Sequence, residues 1–291
     1  MNIFAYEFMQ FALLGTAITG LTAPALGIYL VQRRLALIGD GIGHVALTGV
    51  GIGVLMHRSP VLLATVVAVV GAIAVEIIRE RSRTSGDIAL AILFYGGISG
   101  GVFLIALSRT GVNLNAFLFG SPLTLSNADM LTIALLGAAV LAVALGLRPW
   151  LFAVCQDEEY AKVAGLPVRT LNVILAVTTA VTVTTAMRSI GLLLVSALMV
   201  VPVATAQLVT KGFGSTMALS MAFGLASGVA GIVISGPSDT APGATVVLFA
   251  IALFLVVAVG SAGLRLWRRR SITPSPTVCD PPDVLLKAEE S

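Results

Sequence analysis

The sequence is dominated by apolar runs that are long enough to cross a lipid bilayer as helices. A helix needs about 20 apolar residues to span the bilayer core, and nine runs of roughly that length follow one another along the 291 residues. Only helices and closed barrels satisfy all their backbone polar groups in lipid. The chain is therefore predicted to be a polytopic membrane protein. The approximate limits of the runs are 8–31, 35–56, 61–78, 88–107, 130–147, 171–187, 190–210, 215–235 and 244–264.

Composition favours helices over an outer-membrane barrel. The chain is 57% hydrophobic and only 11% charged, with a mean hydropathy of +1.03, whereas soluble proteins average about 25% charged residues. Thirty glycines and 6% aromatic residues suit closely packed helices better than strands with aromatic rims. The net charge of +3 is spread over loops, so no nucleic-acid binding is expected. The predicted fold class is all-α, with about nine transmembrane helices.

The distribution of basic residues predicts the orientation in the membrane. Cytoplasmic loops carry an excess of Lys and Arg. With nine spans, an N-terminus outside and a cytoplasmic C-terminus, all but three of the 17 basic residues fall on the cytoplasmic side. A missed span would invert every later loop, so the helix count and the orientation support each other. The three exceptions are Arg58, Arg109 and Arg188.

Two domains and two long connections are predicted. Residues 1–265 form the transmembrane domain, and the Pro-rich residues 266–291 form a disordered cytoplasmic tail. Residues 148–170 make the longest cytosolic loop. Residues 109–129 lie outside, and their apolar AFLFG indicates an interfacial or re-entrant piece. Cys155 and Cys279 are far apart, so no disulfide or zinc framework is expected.

Asp40 and His44 are the candidates for chemistry inside the membrane. Their spacing puts both side chains on one face of the second predicted helix. An ionisable group inside the bilayer costs about 2.5–3.5 kcal/mol on insertion scales, so its presence needs a reason. A carboxylate beside a neutral imidazole suits zinc or manganese. The alternative is an Asp–His hydrogen bond that locks two helices, and both interpretations stay open.

Other acidic residues and the second histidine favour simpler interpretations. Asp87 opens the fourth span, where an acid caps a helix or complements its dipole. Asp239 lies in SGPSDTAPG, whose prolines and glycines indicate a rigid outer turn. Glu76 can pair with Arg79 at the end of the third span. His57 lies next to an arginine outside the membrane and indicates nothing by itself.

Local spacing predicts several helix contacts. Ser126 and Asp129 have the spacing of a capping box that begins the fifth span. Three threonines form one hydroxyl stripe that either lines a path or bonds to a neighbouring helix, at 178, 182 and 185. Small residues four apart let helix backbones approach closely, and they occur at Gly39 and Gly43, Gly49 and Gly53, Gly97 and Gly101, and Gly224 and Gly228.

Several catalytic motifs are missing from the sequence. It contains no G-x-x-x-x-G-K-[ST] and hence no nucleotide-binding loop of its own. A nucleophile elbow and a His-Glu-x-x-His motif are also missing. The chain is therefore not expected to be an enzyme.

Five segments together resemble the permease subunit of bacterial ABC importers for zinc and manganese. They occur in family order over about residues 10–264, and the first and fourth are the most specific. The segments are LVQRRLALIGDGIGHVALTGVGIG, NAFLFGS, QDEEYAKVAGLPV, SIGLLLVSALMVVPVATA and SDTAPGATVVL.

The resemblance implies partners in the cell membrane. Two copies of the chain would form the pathway, two copies of a cytosolic ATPase would drive it, and an extracytoplasmic protein would deliver the metal ion. Glu159, Ala161 and Gly165 match the E-x-A-x-x-x-G of the ATPase-coupling segment, on a short helix ended by glycine and proline. The full set of implied coupling residues is Glu158, Glu159, Ala161, Gly165, Leu166 and Pro167.

The resemblance also implies a metal pathway. Asp40 and His44 match the family's Asp-x-x-x-His and would ligate the passing ion, and Asp87 and Asp239 match further acids of the pathway. The ion itself is the cargo, and no permanently bound cofactor is expected. Overall similarity puts zinc first, manganese second and ferrous iron third. The alternative function is a secondary metal transporter or channel that works without ATP.

Overall fold

A computed structural model describes residues 7–81, 86–108, 114–120, 125–238 and 240–271. Within these ranges the regular structure is entirely helical, in agreement with the predicted all-α class. The helices are α1 (Glu7–Gln32), α2 (Ile38–Leu55), α3 (Pro60–Arg81), α4 (Gly86–Leu107), α5 (Leu114–Phe119), α6 (Asn127–Gly146), α7 (Arg148–Gln156), α8 (Glu158–Val163), α9 (Val168–Ala186), α10 (Leu192–Val209), α11 (Phe213–Ser238) and α12 (Pro242–Ser271).

Nine of the helices in the described ranges are long and apolar enough to cross a membrane. They are α1 to α4, α6 and α9 to α12, and their limits agree with the predicted runs to within a few residues. The span of α9 begins at Val168, three residues earlier than predicted, because Pro167 precedes it as the capping residue. Long apolar runs are thus sufficient to locate the spans.

The last helix extends beyond the predicted end of the transmembrane domain at residue 265. α12 continues through Ser271, so residues 266–271 are helical rather than disordered. Its final turn contains Arg268, Arg269 and Arg270, and cationic residues are favoured at the C-terminal end of a helix. The rest of the predicted tail lies outside the described residues.

Short helices occupy the two long connections. α5 contains the predicted apolar piece and packs against α10 and α12. Gly120 then turns the chain with φ +79°, close to the backbone of Ile190 and Gly191. α7 and α8 occupy the loop at 148–170. The capping box is confirmed, since Ser126 accepts from the Asp129 amide and Asp129 accepts from the Ser126 amide.

The core consists of two hydrophobic clusters. The first is built on α1, α9 and α10 and includes the fully buried Leu26, Tyr29 and Leu198. The second is built on α2 and α3 and includes Ile42. Leu35, in the turn between α1 and α2, packs against both clusters. This turn therefore joins the two halves of the core.

Small residues allow the helices to approach closely, as predicted. A β-carbon on Gly97 of α4 would lie 2.6 Å from the carbonyl carbon of His44 on α2. A β-carbon on Gly49 of α2 would lie 2.6 Å from the Ala64 Cα on α3. Both distances are shorter than any real contact, so only glycine permits these helix pairs to pack as they do.

Thr178 and Thr182 do not form the predicted bonds to a neighbouring helix, and a role of the stripe in lining a path stays a prediction. Thr178 and Thr182 bond back to carbonyls of their own helix, with Thr178 donating to Ile174 and Thr182 donating to the Thr178 carbonyl at 2.8 Å. A threonine in a helix can reach the carbonyl one turn earlier, which competes with a bond to another helix. Thr185 is the exception, because its hydroxyl is buried without a partner in the described part of the chain.

Candidate functional site

Asp40 and His44 begin the second span. Asp40 lies in the first turn of α2, where a carboxylate is favoured by the helix dipole, and Leu37 before it provides no side-chain cap. Asp40 is partly exposed. His44 follows one turn further into the membrane, and only 3% of it is exposed. The helix thus presents a carboxylate at its end and an imidazole below it.

A cavity of about 260 Å³ opens between α2 and α4 beside Asp40. Among the described lining residues, Asp40 alone carries a formal charge, and the others are mostly apolar. The lining residues are Leu37, Asp40, Leu90, Ala91, Phe94 and Tyr95. A charged oxygen in an apolar cavity attracts a cation, since its own hydration is incomplete there.

The imidazole of His44 is held by aromatic contact rather than by hydrogen bonds. Its ring lies edge-on to Phe94, with centroids 4.1 Å apart, and Phe94 contacts Tyr95 at 5.5 Å in the same manner. His44 Nδ1 is buried and finds no hydrogen-bond partner among the described residues. A buried nitrogen without a partner is costly, which makes it a candidate for a ligand supplied from outside the chain.

The alternative interpretation, an Asp–His hydrogen bond that locks two helices, does not describe this site. In the part of the chain that the structure describes, Asp40 forms no hydrogen bond or ion pair with His44 or with another helix. Both residues also lie on α2, so a bond between them would not join two helices. The close approach of Gly97 to the His44 backbone joins α2 to α4 instead.

Within the described residues, one chain brings together two candidate metal ligands, Asp40 and His44. Across the described ranges, no three His, Cys, Asp or Glu side chains gather closely enough to hold a metal ion. Asp87 is the second residue of α4, one turn before Leu90 of the cavity lining. Asp239 lies outside the described residues, and α11 continues through Ser238, so the first four residues of the predicted outer turn are helical. Metal binding at these four residues stays a prediction.

The remaining candidates have structural roles. Glu76 accepts two hydrogen bonds from Arg79, the shorter at 2.7 Å, so the predicted i,i+3 pair is confirmed. His57 is exposed just beyond the end of α2, with φ +50°. Asp129 forms an ion pair with Arg188 in addition to its capping role.

α8 has the form predicted for the coupling segment. Asp157 caps it by accepting from the Tyr160 amide at 3.0 Å, and Ala161 is fully buried beneath it. Gly165 follows with φ +79°, a left-handed conformation that favours glycine, and Pro167 then precedes α9 as its N-cap residue. The outer face is exposed, with Tyr160 at 70%. The segment is a short, capped helix that buries one face in the bundle and exposes the other.

Ion pairs lie on the surface of α8, and one thiol of α7 contacts α1. The Glu159 hydrogen bond raises the pKa of Lys162, which bridges Glu158 and Glu159 on the exposed face. Burial raises the pKa of the Cys155 thiol on α7 to about 11, and the thiol donates to the Tyr29 carbonyl at 3.7 Å.

Arg33, at the end of α1, was not a candidate in the sequence. It binds Glu158 of α8 and Asn172 of α9. Its partners are more than a hundred positions away along the chain, so no local pattern could reveal the contact.

The fold and these features define a polytopic helical membrane protein. In the described ranges, nine helices could span a membrane, a carboxylate lines a cavity one turn from a buried imidazole, and a short capped helix follows α7. Residues 5–261 match the model of the ABC 3 transport family, and the chain belongs to that family. It is thus a permease of the ABC importer type and a multi-pass protein of the cell membrane.

Individual relatives agree with this assignment. The chain is 33% identical over 255 residues to the manganese transport system membrane protein MntC of Halalkalibacterium halodurans, covering 87% of both chains. It is 30% identical over 253 residues to the high-affinity zinc uptake system membrane protein ZnuB of Haemophilus influenzae, covering 86% of this chain and 97% of ZnuB.

A solved structure has the same fold. PsaBC from Streptococcus pneumoniae in complex with Fab matches with a TM-score of 0.81 and 30% identity, covering 91% of this chain and 97% of that one. The predicted family is confirmed. Because the relatives are named for manganese as well as zinc, the preference for zinc gains no support from them.

Proposed function

We propose that this chain is the membrane-spanning permease of an ATP-driven importer of divalent transition metal ions, and that the ion passes between Asp40 and His44. The observation that carries the proposal is the buried Nδ1 of His44, which has no hydrogen-bond partner among the described residues and lies one turn from a carboxylate that lines a cavity. Membership of the ABC 3 transport family supports the transport class, and the donor set supports the cargo.

The chemistry of the pair suits passage rather than storage. Carboxylate oxygen and imidazole nitrogen are ligands for manganese, ferrous iron and zinc. Two protein ligands with water in the remaining positions bind an ion loosely enough for it to leave, whereas a closed four-ligand site retains it. Asp87 and Asp239 are proposed as further residues that the ion contacts before or after Asp40 and His44.

The missing phosphate-binding loop and the exposed face of α8 indicate the partners of this chain. It has no phosphate-binding loop, so ATP hydrolysis belongs to a separate cytosolic subunit. That subunit is proposed to bind α8, whose Tyr160 and Val163 are exposed beside the buried Ala161. A second copy of the chain completes the pathway, and an extracytoplasmic protein delivers the ion.

The proposed orientation puts the N-terminus outside and the C-terminus in the cytoplasm, with residues 148–170 as a cytosolic loop. The basic residues support it. A second support is the location of two ion pairs at one end of the bundle. Arg33 pairs with Glu158, and Arg169 pairs with Glu80. Glu80, Glu158 and Arg169 are at least 39% exposed, which suits the membrane interface rather than the bilayer core, and the buried Arg33 is paired.

Zinc remains the first candidate for the cargo, because a neutral imidazole is a favoured zinc ligand. Manganese is its principal competitor, since the relatives include proteins named for each metal. The carboxylate accepts either ion, so the pair alone favours zinc only through His44.

Reconstitution tests the proposal. The chain is placed in liposomes with its ATPase, and uptake of radiolabelled zinc and manganese is measured with the metal-loaded binding protein, with ATP and with a non-hydrolysable analogue. Accumulation that requires hydrolysable ATP is the expected result, and the faster ion is the cargo. Metal flux through the purified chain alone, without ATP, would instead support the secondary transporter or channel.

A further inference from the structure

The end of α1 is tied directly to the coupling helix. Arg33 is buried, with only 7% of its side chain exposed. Its Nη2 donates to Glu158 Oε2 on α8 at 3.0 Å, and its Nη1 donates to Asn172 Oδ1 on α9 at 2.7 Å. A guanidinium offers several donors in a rigid plane, so it holds both partners at once in one fixed geometry. Arg33 thus connects three helices in one buried contact.

Backbone hydrogen bonds fix the turn that connects Arg33 to Asp40 and His44. The Arg34 amide donates to the Val31 carbonyl at 3.1 Å and the Leu35 amide to the Leu30 carbonyl at 2.8 Å, which is the bonding pattern of a Schellman motif. Arg34 holds the left-handed position with φ +59°, where glycine is usual. The backbone is therefore fixed as it leaves α1.

The same turn is fixed where it joins α2. The Ile38 amide donates to the Leu35 carbonyl at 3.0 Å, and the Gly41 amide donates to the Leu37 carbonyl at 3.1 Å. Leu35 packs against both hydrophobic clusters. Hydrogen bonds and packing thus continue from Arg33 to Asp40, and a displacement of Arg33 moves the first turn of α2.

From this connection we infer that Arg33 is a positioning residue that transmits movement of α8 to Asp40 and His44. When the ATPase subunit moves α8, Glu158 pulls the Arg33 guanidinium, and the turn carries the displacement to the cavity between α2 and α4. The inference rests on the proposed function, because it takes α8 as the ATPase-coupling helix. It adds the route by which the coupling helix reaches the metal site.

A second ion pair at the same end of the bundle provides a matched control. Arg169 binds Glu80 at 3.0 Å, the same distance as in the Arg33 pair, but their side chains are 61% and 44% exposed. The pair joins α9 to α3 and involves neither α8 nor the turn after α1. Its loss removes a cytoplasmic-end ion pair without interrupting the inferred route.

The test measures whether ATP changes the access to the cavity. Leu37 lines the cavity and is 68% exposed, so Leu37→Cys in a Cys155→Ser, Cys279→Ser background reports on it. The full complex with the ATPase is labelled with a maleimide, with and without ATP and orthovanadate. The compared variants are Arg33→Gln, Glu158→Gln, the exchange Arg33→Glu with Glu158→Arg, and the control Glu80→Gln.

ATP with orthovanadate is expected to change the labelling rate of the reference chain. Arg33→Gln and Glu158→Gln should reduce that change about tenfold, within the usual range for coupling between sites. The exchange should restore it, since Asn172 can donate its amide to a glutamate at position 33, and Glu80→Gln should leave it unchanged. A merely structural role for ion pairs at this end of the bundle predicts that Glu80→Gln reduces the change as well.

Either of two results would overturn the inference. One is a labelling rate that ATP does not alter in the reference chain. The other is a full ATP-dependent change in Glu158→Gln, which remains informative if Arg33→Gln fails to assemble. Metal uptake measured on the same reference complex separates the two proposals, because absent uptake with a retained labelling change rejects the cargo and leaves the route intact.

Discussion

The Phe94 ring of α4 lies edge-on against the His44 imidazole of α2, with ring centroids 4.1 Å apart and planes inclined by 69°. This contact fixes the orientation of the imidazole at the point where its Nδ1 has no hydrogen-bond partner in the described chain. An edge-on aromatic pair contributes about 0.5–1.5 kcal/mol beyond the area that it buries. The orientation of a ligand beside the cavity thus depends on a neighbouring helix.

Replacing Phe94 should therefore weaken metal binding before it affects assembly. Phe94→Ala is expected to raise the KM for metal uptake about three- to tenfold, the equivalent of losing the ring pair. Phe103→Ala is the control, because Phe103 lies on the same helix but is 67% exposed. Equal KM values for the two variants, measured in ATP-driven uptake, would show that Phe94 does not orient the site.

Two adjacent glycines of α4 should respond oppositely to the same substitution. A β-carbon at Gly97 would lie 2.6 Å from the His44 carbonyl carbon, whereas one at Gly96 would meet nothing within 4 Å. Gly97→Ala is expected to destabilise the protein by about 1–3 kcal/mol through overpacking. Gly96→Ala should leave the stability unchanged or raise it, since alanine favours helix.

Thermal unfolding of the detergent-solubilised chain measures this difference. The expected result is a lower Tm for Gly97→Ala than for both the parent chain and Gly96→Ala. If the two alanine variants unfold at the same temperature, the close packing of α2 against α4 is not as described.

Gly165 should tolerate asparagine but not valine. Its φ is +79°, and a β-carbon there would meet no atom within 4 Å, so the cost of substitution comes from the backbone alone. The left-handed conformation costs an ordinary residue about 1–2 kcal/mol, less for asparagine and more for β-branched residues. Gly165→Val should distort the end of α8 and reduce metal uptake per ATP hydrolysed, with Gly165→Asn close to the parent.

Co-purification of the ATPase with each Gly165 variant separates loss of coupling from loss of assembly. Equal uptake per ATP for valine and asparagine would contradict the role of this turn in coupling.

Cys155 should react slowly with alkylating reagents because burial keeps its thiol protonated. With a pKa of about 11, roughly one thiol in a thousand is ionised at pH 8, against about one in ten for an ordinary value of 9.0. The folded state holds the proton to higher pH than the unfolded state, so this group contributes stability below pH 9 that is lost between pH 9 and about 11.

Iodoacetamide labelling of a Cys279→Ser chain, followed by mass spectrometry at pH 8 and pH 9, checks the thiol. Labelling should be slow at both values, increase with pH and become fast in denaturing detergent. Rapid modification of the folded chain at pH 8 would show that Cys155 is accessible and ionised.

Features contained within one stretch of sequence were predictable. The nine spans follow from runs of apolar residues, and the Ser126–Asp129 capping box follows from a four-residue pattern. The Glu76–Arg79 pair is equally local. In each case the partners are neighbours along the chain, so helix geometry alone determines their contact.

Contacts between distant residues were not predictable in this way. The glycine pairs indicated close helix approach, yet they did not identify His44 as the neighbour of Gly97. Arg33 and Glu158 meet only because α1, α8 and α9 pack together. Asp40 and His44 could be identified because an ionisable residue inside an apolar run is costly. Phe94 could not, because a phenylalanine does not stand out in such a run.

The most direct test of the account is metal uptake by the assembled transporter with each member of the pair replaced. Asp40→Asn and His44→Gln are compared with His57→Gln, which replaces the other of the two histidines at an exposed position. Membrane insertion and ATPase binding are verified for each variant. Uptake of radiolabelled zinc or manganese is expected to be lost in Asp40→Asn and His44→Gln and retained in His57→Gln. Normal uptake by correctly assembled Asp40→Asn and His44→Gln would contradict the proposed metal site.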